Sequence, residues 1–201
     1  MTLEFAIEIL GTAAFAISGA LAASRKNMDI FGFCVMAMMP AVGGGTLRDL
    51  ILDRPVFWVS NPWYVGVAVA AAIAVYFRHF KPGGRTRLLV WADALGLALF
   101  ASLGTEISLE AGAGAPVAVM LGVATGVAGG MIRDVICNEI PLVLVGEIYA
   151  TAAFASSVAF IAMTAVGVPR DMALAAGVLI GFGVRAAAII WKLSLPSFRE
   201  D

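Results

Sequence analysis

The chain has 201 residues, of which 61% are hydrophobic and only 13% charged, with a net charge of −1 and a mean hydropathy of +0.96. A soluble domain is nearer 45–50% apolar and about 25% charged, so this composition excludes one. At about 20 apolar residues per membrane helix, the length accommodates about seven crossings with short loops and no separate soluble domain.

In chain order, helix 1 is expected over residues 4–24, closed by Ser24, Arg25, Lys26 and Asn27. Glu4 and Glu8 stand where a signal peptide would carry its basic segment, so this first apolar run is read as a helix that stays in the membrane. Helix 2 covers 30–52 and contains Pro40 and a glycine triplet. Asp53-Arg54-Pro55 ends it, and Asn61-Pro62 opens helix 3, which runs to Phe77. Arg78, His79, Lys81, Arg85 and Arg87 surround a Pro82-Gly83-Gly84 turn. Helix 4 is expected over 88–107, helix 5 over 115–137, helix 6 over 143–167 and helix 7 over 172–193. The fold expected is an all-α membrane protein with seven transmembrane helices in a single polytopic domain.

Lys and Arg placement sets the orientation. Arg25, Lys26, Arg78, Lys81, Arg85, Arg87, Lys192 and Arg199 share one side, whereas the other keeps little beyond Arg54 and Arg170. This predicts an outside N-terminus and a cytoplasmic C-terminus. Cys34 and Cys137 both lie in apolar runs and, with one His in the chain, read as free buried thiols and not as a metal site. Nothing in the charge pattern points to nucleic acid.

The most informative stretch is Gly43-Gly44-Gly45-Thr46-Leu47-Arg48-Asp49, echoed by Gly129-Gly130-Met131-Ile132-Arg133-Asp134. The offset is constant, 133 − 48 = 85 and 134 − 49 = 85, and it extends outward. Gly11 matches Gly96, Phe15 matches Phe100, Glu8 matches Asp93 and Tyr64 matches Tyr149. Each copy holds three helices, about 4–80 and 88–167. An odd number enters the membrane upside down in its second copy, giving a three-plus-three inverted repeat with helix 7 outside it, an arrangement that points to a transport site.

Two readings of the glycines stand side by side. Consecutive glycines, with Pro40 upstream, make helices 2 and 5 easy to kink and expose carbonyls to a cation pathway. Alternatively they let helices pack closely, as the Gly122, Gly126, Gly130 ladder does. The four charges carry more. A lone Arg or Asp at the middle of a membrane helix costs about 2.5–3.5 kcal/mol. Neighbours on a helix point about 100° apart, so Arg48 is expected to meet Asp134 and Arg133 to meet Asp49 across the repeat axis, or water in a central cavity to solvate all four. The other alternative is an ion-pair lock without a role in permeation. Glu4 and Glu8 read as interfacial, Asp93 as a helix-start anion or a vestibule group, and Glu147 has no evident partner. Trp58, Trp63 and Trp191 read as an interfacial belt, and Gly177 and Gly181 as helix packing.

With both motifs and their spacing in view, the chain resembles the prokaryotic trimeric intracellular cation (TRIC) channel family, also grouped as a glycine transporter family. The resemblance covers essentially the whole length. It implies a homotrimer in membrane lipid, with a pore in each protomer shaped by kinks at Gly43, Gly44, Gly45, Gly129 and Gly130. It implies no cofactor, with K+ and Na+ as permeant ions. One departure is Ala128, which stands where the first motif has Gly43. A small secondary transporter, for instance of glycine, is the rival, because inverted repeats also mark alternating access; a membrane scaffold is a third reading. No enzyme reading survives, because no nucleophile–base set is present and GGGTLRD lacks the Lys-Ser/Thr of a phosphate loop.

Overall fold

The computed structural model describes residues 3–78, 83–145 and 147–196. The middle of the basic loop, with His79, Lys81 and Pro82, and the tail with Arg199 lie outside the described residues. Eight α-helices follow in order: α1 Leu3–Arg25, α2 Ile30–Ile51, α3 Phe57–Ser60, α4 Trp63–Phe77, α5 Gly84–Glu110, α6 Ala115–Ile136, α7 Ala150–Ala165 and α8 Arg170–Trp191. Five of them (α1, α2, α5, α6 and α8) have the length and hydropathy to cross a membrane. Helices α4 and α7 are apolar but shorter, at 15 and 16 residues, about 22–24 Å at 1.5 Å per residue.

The expected helix 6 begins too early. Residues Leu142–Leu144 form a single 3-10 turn, and α7 starts only at Ala150. The run Leu142-Val143-Leu144-Val145 has helical composition, but the Leu142 N–H is drawn away to donate to Asp134 Oδ2 at 3.1 Å. Its counterpart 85 residues earlier is α3, where Phe57 N–H donates to Asp49 Oδ2 at 3.0 Å. Both long-motif helices also end alike. Asp53 and Asn138 take left-handed φ of 53° and 54°, and the N–H groups of Arg54 and Glu139 close back on the carbonyls of Asp49 and Asp134, each at 2.9 Å. This is the αL helix stop, favoured at Asp and Asn when Gly is absent. Helix α2 begins with a side-chain cap, Asp29 Oδ1 accepting from Gly32 N–H at 2.8 Å.

Helices α1 and α5 are the most buried and run side by side at the centre, with α2 and α4 packed around α1 and with α6, α7 and α8 around α5. They meet at Phe15 and Phe100, which stack with centroids 5.7 Å apart and planes 10° apart. Gly11 leaves the space Phe100 fills and Gly96 the space Phe15 fills. Helices α2 and α6 cross by the same reciprocal rule. A methyl carbon at Gly44 would press on the Thr125 carbonyl oxygen, and one at Gly129 on the Pro40 carbonyl oxygen. Positions 40 and 125 are 85 apart, as are 44 and 129, and such reciprocal contacts are the geometry of a two-fold relation between antiparallel halves. Around the outside, Leu50, Ile51, Met120, Val135, Leu179 and Trp191 are exposed.

Candidate functional site: two buried charge clusters

The motif charges sit in two clusters, one inside each three-helix half. In the first, Arg48 and Asp49 occupy the last turn of α2, and each is 2% exposed. Arg48 Nε donates to Asp49 Oδ1 at 2.8 Å and Nη2 lies 2.7 Å from the same oxygen. The other Asp49 oxygen is taken by the Phe57 N–H. Arg48 lies 5.9 Å over the Phe57 ring, which meets Tyr64 edge-on at 4.8 Å. Tyr64 in turn donates its hydroxyl hydrogen to Glu8.

The second cluster repeats this plan and adds to it. Arg133 Nε donates to Asp134 Oδ1 at 2.8 Å, with Nη2 at 2.7 Å, and Asp134 Oδ2 accepts from Leu142 N–H. Arg133 Nη1 also donates to Asp93 and to the Ser18 hydroxyl from α1. The Tyr149 hydroxyl and Asp93 Oδ1 both abut Gly130, where any side chain would displace them. The Arg133 guanidinium is therefore shared by two carboxylates, whereas Arg48 has one; each arginine keeps one terminal nitrogen without a hydrogen bond among the described residues.

The expected cross-pairs, Arg48 with Asp134 and Arg133 with Asp49, do not form. Residues facing each other across the α2–α6 crossing, 44 with 125 and 40 with 129, place Arg133 level with Met36. That is twelve residues from Arg48, about 18 Å along the helix. The 100° argument fails for a different reason. Each aspartate is turned by the backbone N–H eight residues on, and the long arginine side chain curls back to set its fork against the remaining oxygen. All four side chains are buried, and they do not face one common central cavity among the described residues. Each couple is instead desolvated within its own half.

The glycines are points of close approach. Helix α2 stays helical from Ile30 through Pro40 and the triplet to Ile51, and α6 stays helical through Gly129 and Gly130. Within the triplet, Gly43 faces only the tip of Ile132, Gly44 faces backbone, and Gly45 faces the Phe57 ring. Ala128, the counterpart of Gly43, is thus tolerated where a side-chain tip, and not a main chain, is the neighbour. Gly122 and Gly126 bring α6 against Thr105, Ala101 and the Leu97 carbonyl of α5.

The lesser acids are also placed. Glu8, read as interfacial, is buried on Tyr64. Asp93 is the second carboxylate of Arg133. Glu4 meets Arg170 at 3.4 Å, and Arg170 also holds Glu106 and Glu110, tying the start of α8 to α1 and α5. Glu147 pairs with Arg185 of α8 at 2.5 Å beside a cavity of about 280 Å³ that both residues line. Sequence reasoning missed Arg185, although a lone Arg inside a 22-residue apolar helix is a signal in its own right. Among the described residues, no three His, Cys, Asp or Glu side chains converge as a metal site.

Comparison with known proteins adds to this geometry. A family model described as "Glycine transporter" matches residues 5–79 and again 90–165, so the two matches begin 85 residues apart. The inner membrane protein YadS of Escherichia coli (strain K12) is 42% identical over 99% of this chain and 98% of its own length. The membrane protein YvgT of Bacillus subtilis (strain 168) is 30% identical over 97% of each. Among solved structures, the TRIC trimeric intracellular cation channel orthologue from Rhodobacter sphaeroides superposes with a TM-score of 0.91 at 45% identity, covering 96% of this chain and all of that one. A structure described as "Structural basis for conductance through TRIC cation channels" gives 0.86 at 36% identity, covering 97% of each. The doubled motif, the reciprocal helix crossings and these matches together show that this multi-pass membrane protein belongs to the TRIC family, whose family model bears the description glycine transporter.

Proposed function

We propose that the protein is a passive monovalent cation channel, permeable to K+ and Na+, with a separate pore in each protomer of a homotrimer. The observation that carries this reading is the likeness, over nearly the whole chain, to a solved trimeric intracellular cation channel. Geometry supports it. One arginine–aspartate couple stands toward each end of the α2–α6 crossing, and the helices packed beside it, α1 and α5, bury the hydroxyls of Thr12 and Thr105. Opening separates α2 from α6 and wets this line, and Gly43, Gly44, Gly45, Gly129 and Gly130, with Pro40, let both helices bend as they part. The chain acts as one polytopic domain, repeat 1 over 4–80, repeat 2 over 88–167 and a last membrane helix, α8, over Arg170–Trp191. It sits in the plasma membrane with the N-terminus outside and the C-terminus cytoplasmic. Membrane lipid covers the outer faces, and no cofactor takes part.

The description of the family model favours a second reading, a slow carrier of a small solute such as glycine. Purified protein in a planar bilayer under asymmetric KCl separates the two. The channel reading expects unitary steps reversing near the K+ potential. Saturable uptake of labelled glycine into proteoliposomes, with no unitary current, overturns it.

A further inference from the structure

The two charge clusters are built on one plan, but only the second is touched by α8, the helix outside the repeat. Arg185, 1% exposed, reaches from α8 to the start of α7. It binds Glu147 through Nη2, donates from Nη1 to the Ile148 carbonyl at 3.2 Å, and lies 5.0 Å over the ring of Tyr149. The hydroxyl of that same Tyr149 lies against Gly130 beside Asp93, and Asp93 holds Arg133. The groups follow in order: Glu147 and Arg185, then Tyr149, then Asp93 beside its hydroxyl at Gly130, then Arg133 with Ser18. In the first half the equivalent tyrosine, Tyr64, has aromatic rings where Tyr149 has a cation: Phe57 at 4.8 Å and Phe5 at 6.0 Å.

We propose that Arg185 is a positioning residue that clamps the second charge cluster through Tyr149. It makes this half the fixed half of the protein and leaves the Arg48 half as the one that rearranges. Three features carry the assignment. Arg185 spends both terminal nitrogens on the two residues immediately before Tyr149, so the backbone that sets the ring is held from α8. Its planar cation over the ring fixes which way the hydroxyl points. And Arg133 gains a second carboxylate, Asp93, only in the half that has this clamp, whereas Arg48 has Asp49 alone. The cavity beside Glu147 and Arg185 gives the pair room to part without unpacking the helices.

The test reads local opening directly and does not require current. In a background with Cys34→Ala and Cys137→Ala, Ser18→Cys reports on the second cluster and Thr12→Cys on the other half of the same helix, both in protein reconstituted in proteoliposomes. The rate of modification by a small thiosulfonate is measured with and without Arg185→Gln. Losing a buried charged hydrogen bond shifts a local opening equilibrium by about ten-fold or more. The expected result is an acceleration of that size at Ser18→Cys with Thr12→Cys unchanged. Arg185→Lys, which keeps the charge but not the fork or the stacking plane, restores the parent rate only in part. Glu147→Gln, a variant that leaves Arg185 in place, speeds Ser18→Cys alone by a smaller factor. Equal acceleration at both reporters would make Arg185 a general structural strut, and no acceleration at Ser18→Cys would remove the clamp; either overturns the proposal. Only its consequence for conduction, a shift in open probability, rests on the channel reading. Wild-type protein without unitary current sinks that reading and leaves the labelling result standing.

Discussion

Substituting Ala along the glycines separates close packing from hinge flexibility, because each site has a different neighbour. A methyl carbon at Gly44 would lie 2.0 Å from the Thr125 carbonyl oxygen, and one at Gly129 would lie 2.5 Å from the Pro40 carbonyl oxygen. Ordinary carbon–oxygen contacts are no closer than about 3.3 Å, so α2 and α6 must retreat by about 1.3 Å in the first case and about 0.8 Å in the second. Both obstacles are main chain and neither can rotate away. Overpacking of this kind costs about 1–3 kcal/mol, against a helix-propensity gain of about 1 kcal/mol for replacing Gly by Ala. The net for Gly44→Ala is a loss of up to about 2 kcal/mol, or up to about 8 °C in Tm for a chain of this size. Gly129→Ala loses less. Gly43→Ala meets only the end of Ile132, which turns aside, and Gly66→Ala meets nothing within 4 Å. Those two hold or raise Tm. Thermal unfolding of the purified protein in detergent, followed by size exclusion, gives the order. If Gly44→Ala is as stable as Gly66→Ala, backbone contact is not what the glycine provides. The flexible-hinge account would then stand alone.

Three further outcomes follow, two from the charge clusters and one from the first motif's threonine. Arg133→Gln leaves Asp93 and Asp134 buried without their cation, and removal of one partner of a buried pair costs about 3–5 kcal/mol. Arg48→Gln strands a single carboxylate that keeps its Phe57 N–H bond, so it loses less; unfolding midpoints of the two variants decide. The double exchange Arg48→Asp with Asp134→Arg gives no rescue over its single parents in folded yield, because about 20 Å separates the sites along the helix. Recovery would mean that the halves meet in a way the α2–α6 crossing forbids. Trp58→Phe removes the indole bond to Thr46 Oγ1, 2.9 Å long, and lowers stability by about 1 kcal/mol, read in the same melting assay.

What the sequence made legible was whatever repeats. Glu8 with Asp93 and Tyr64 with Tyr149 were visible as offset matches, and each matched pair turns out to hold an acid beside a tyrosine in its own half. Helix ends followed where Asn, Asp or Pro marks them. Three things were hidden. The pairing within Arg48-Asp49 and Arg133-Asp134 depends on where backbone N–H groups of Phe57 and Leu142 point, which no helical-wheel argument contains. The late start of α7 depends on the same Leu142 bond overriding an apolar run. Arg185 was hidden for a third reason: a repeat analysis looks away from the one helix that has no counterpart.

That helix is where function can be asymmetric. A protein made of two equivalent inverted halves has two equivalent ends, and nothing in such a design prefers one end to open first. Here the halves differ in three linked ways: Asp93 reaches its arginine while the longer Glu8 turns to Tyr64, Ser18 crosses from α1 to the second cluster only, and Arg185 grips Tyr149. All three tighten the same half. Because a buried cation held by two carboxylates costs more to release than one held by a single carboxylate, the easier rearrangement lies at Arg48. On the proposal above, helix α8 is therefore the element that biases one end of an otherwise duplicated core over the other.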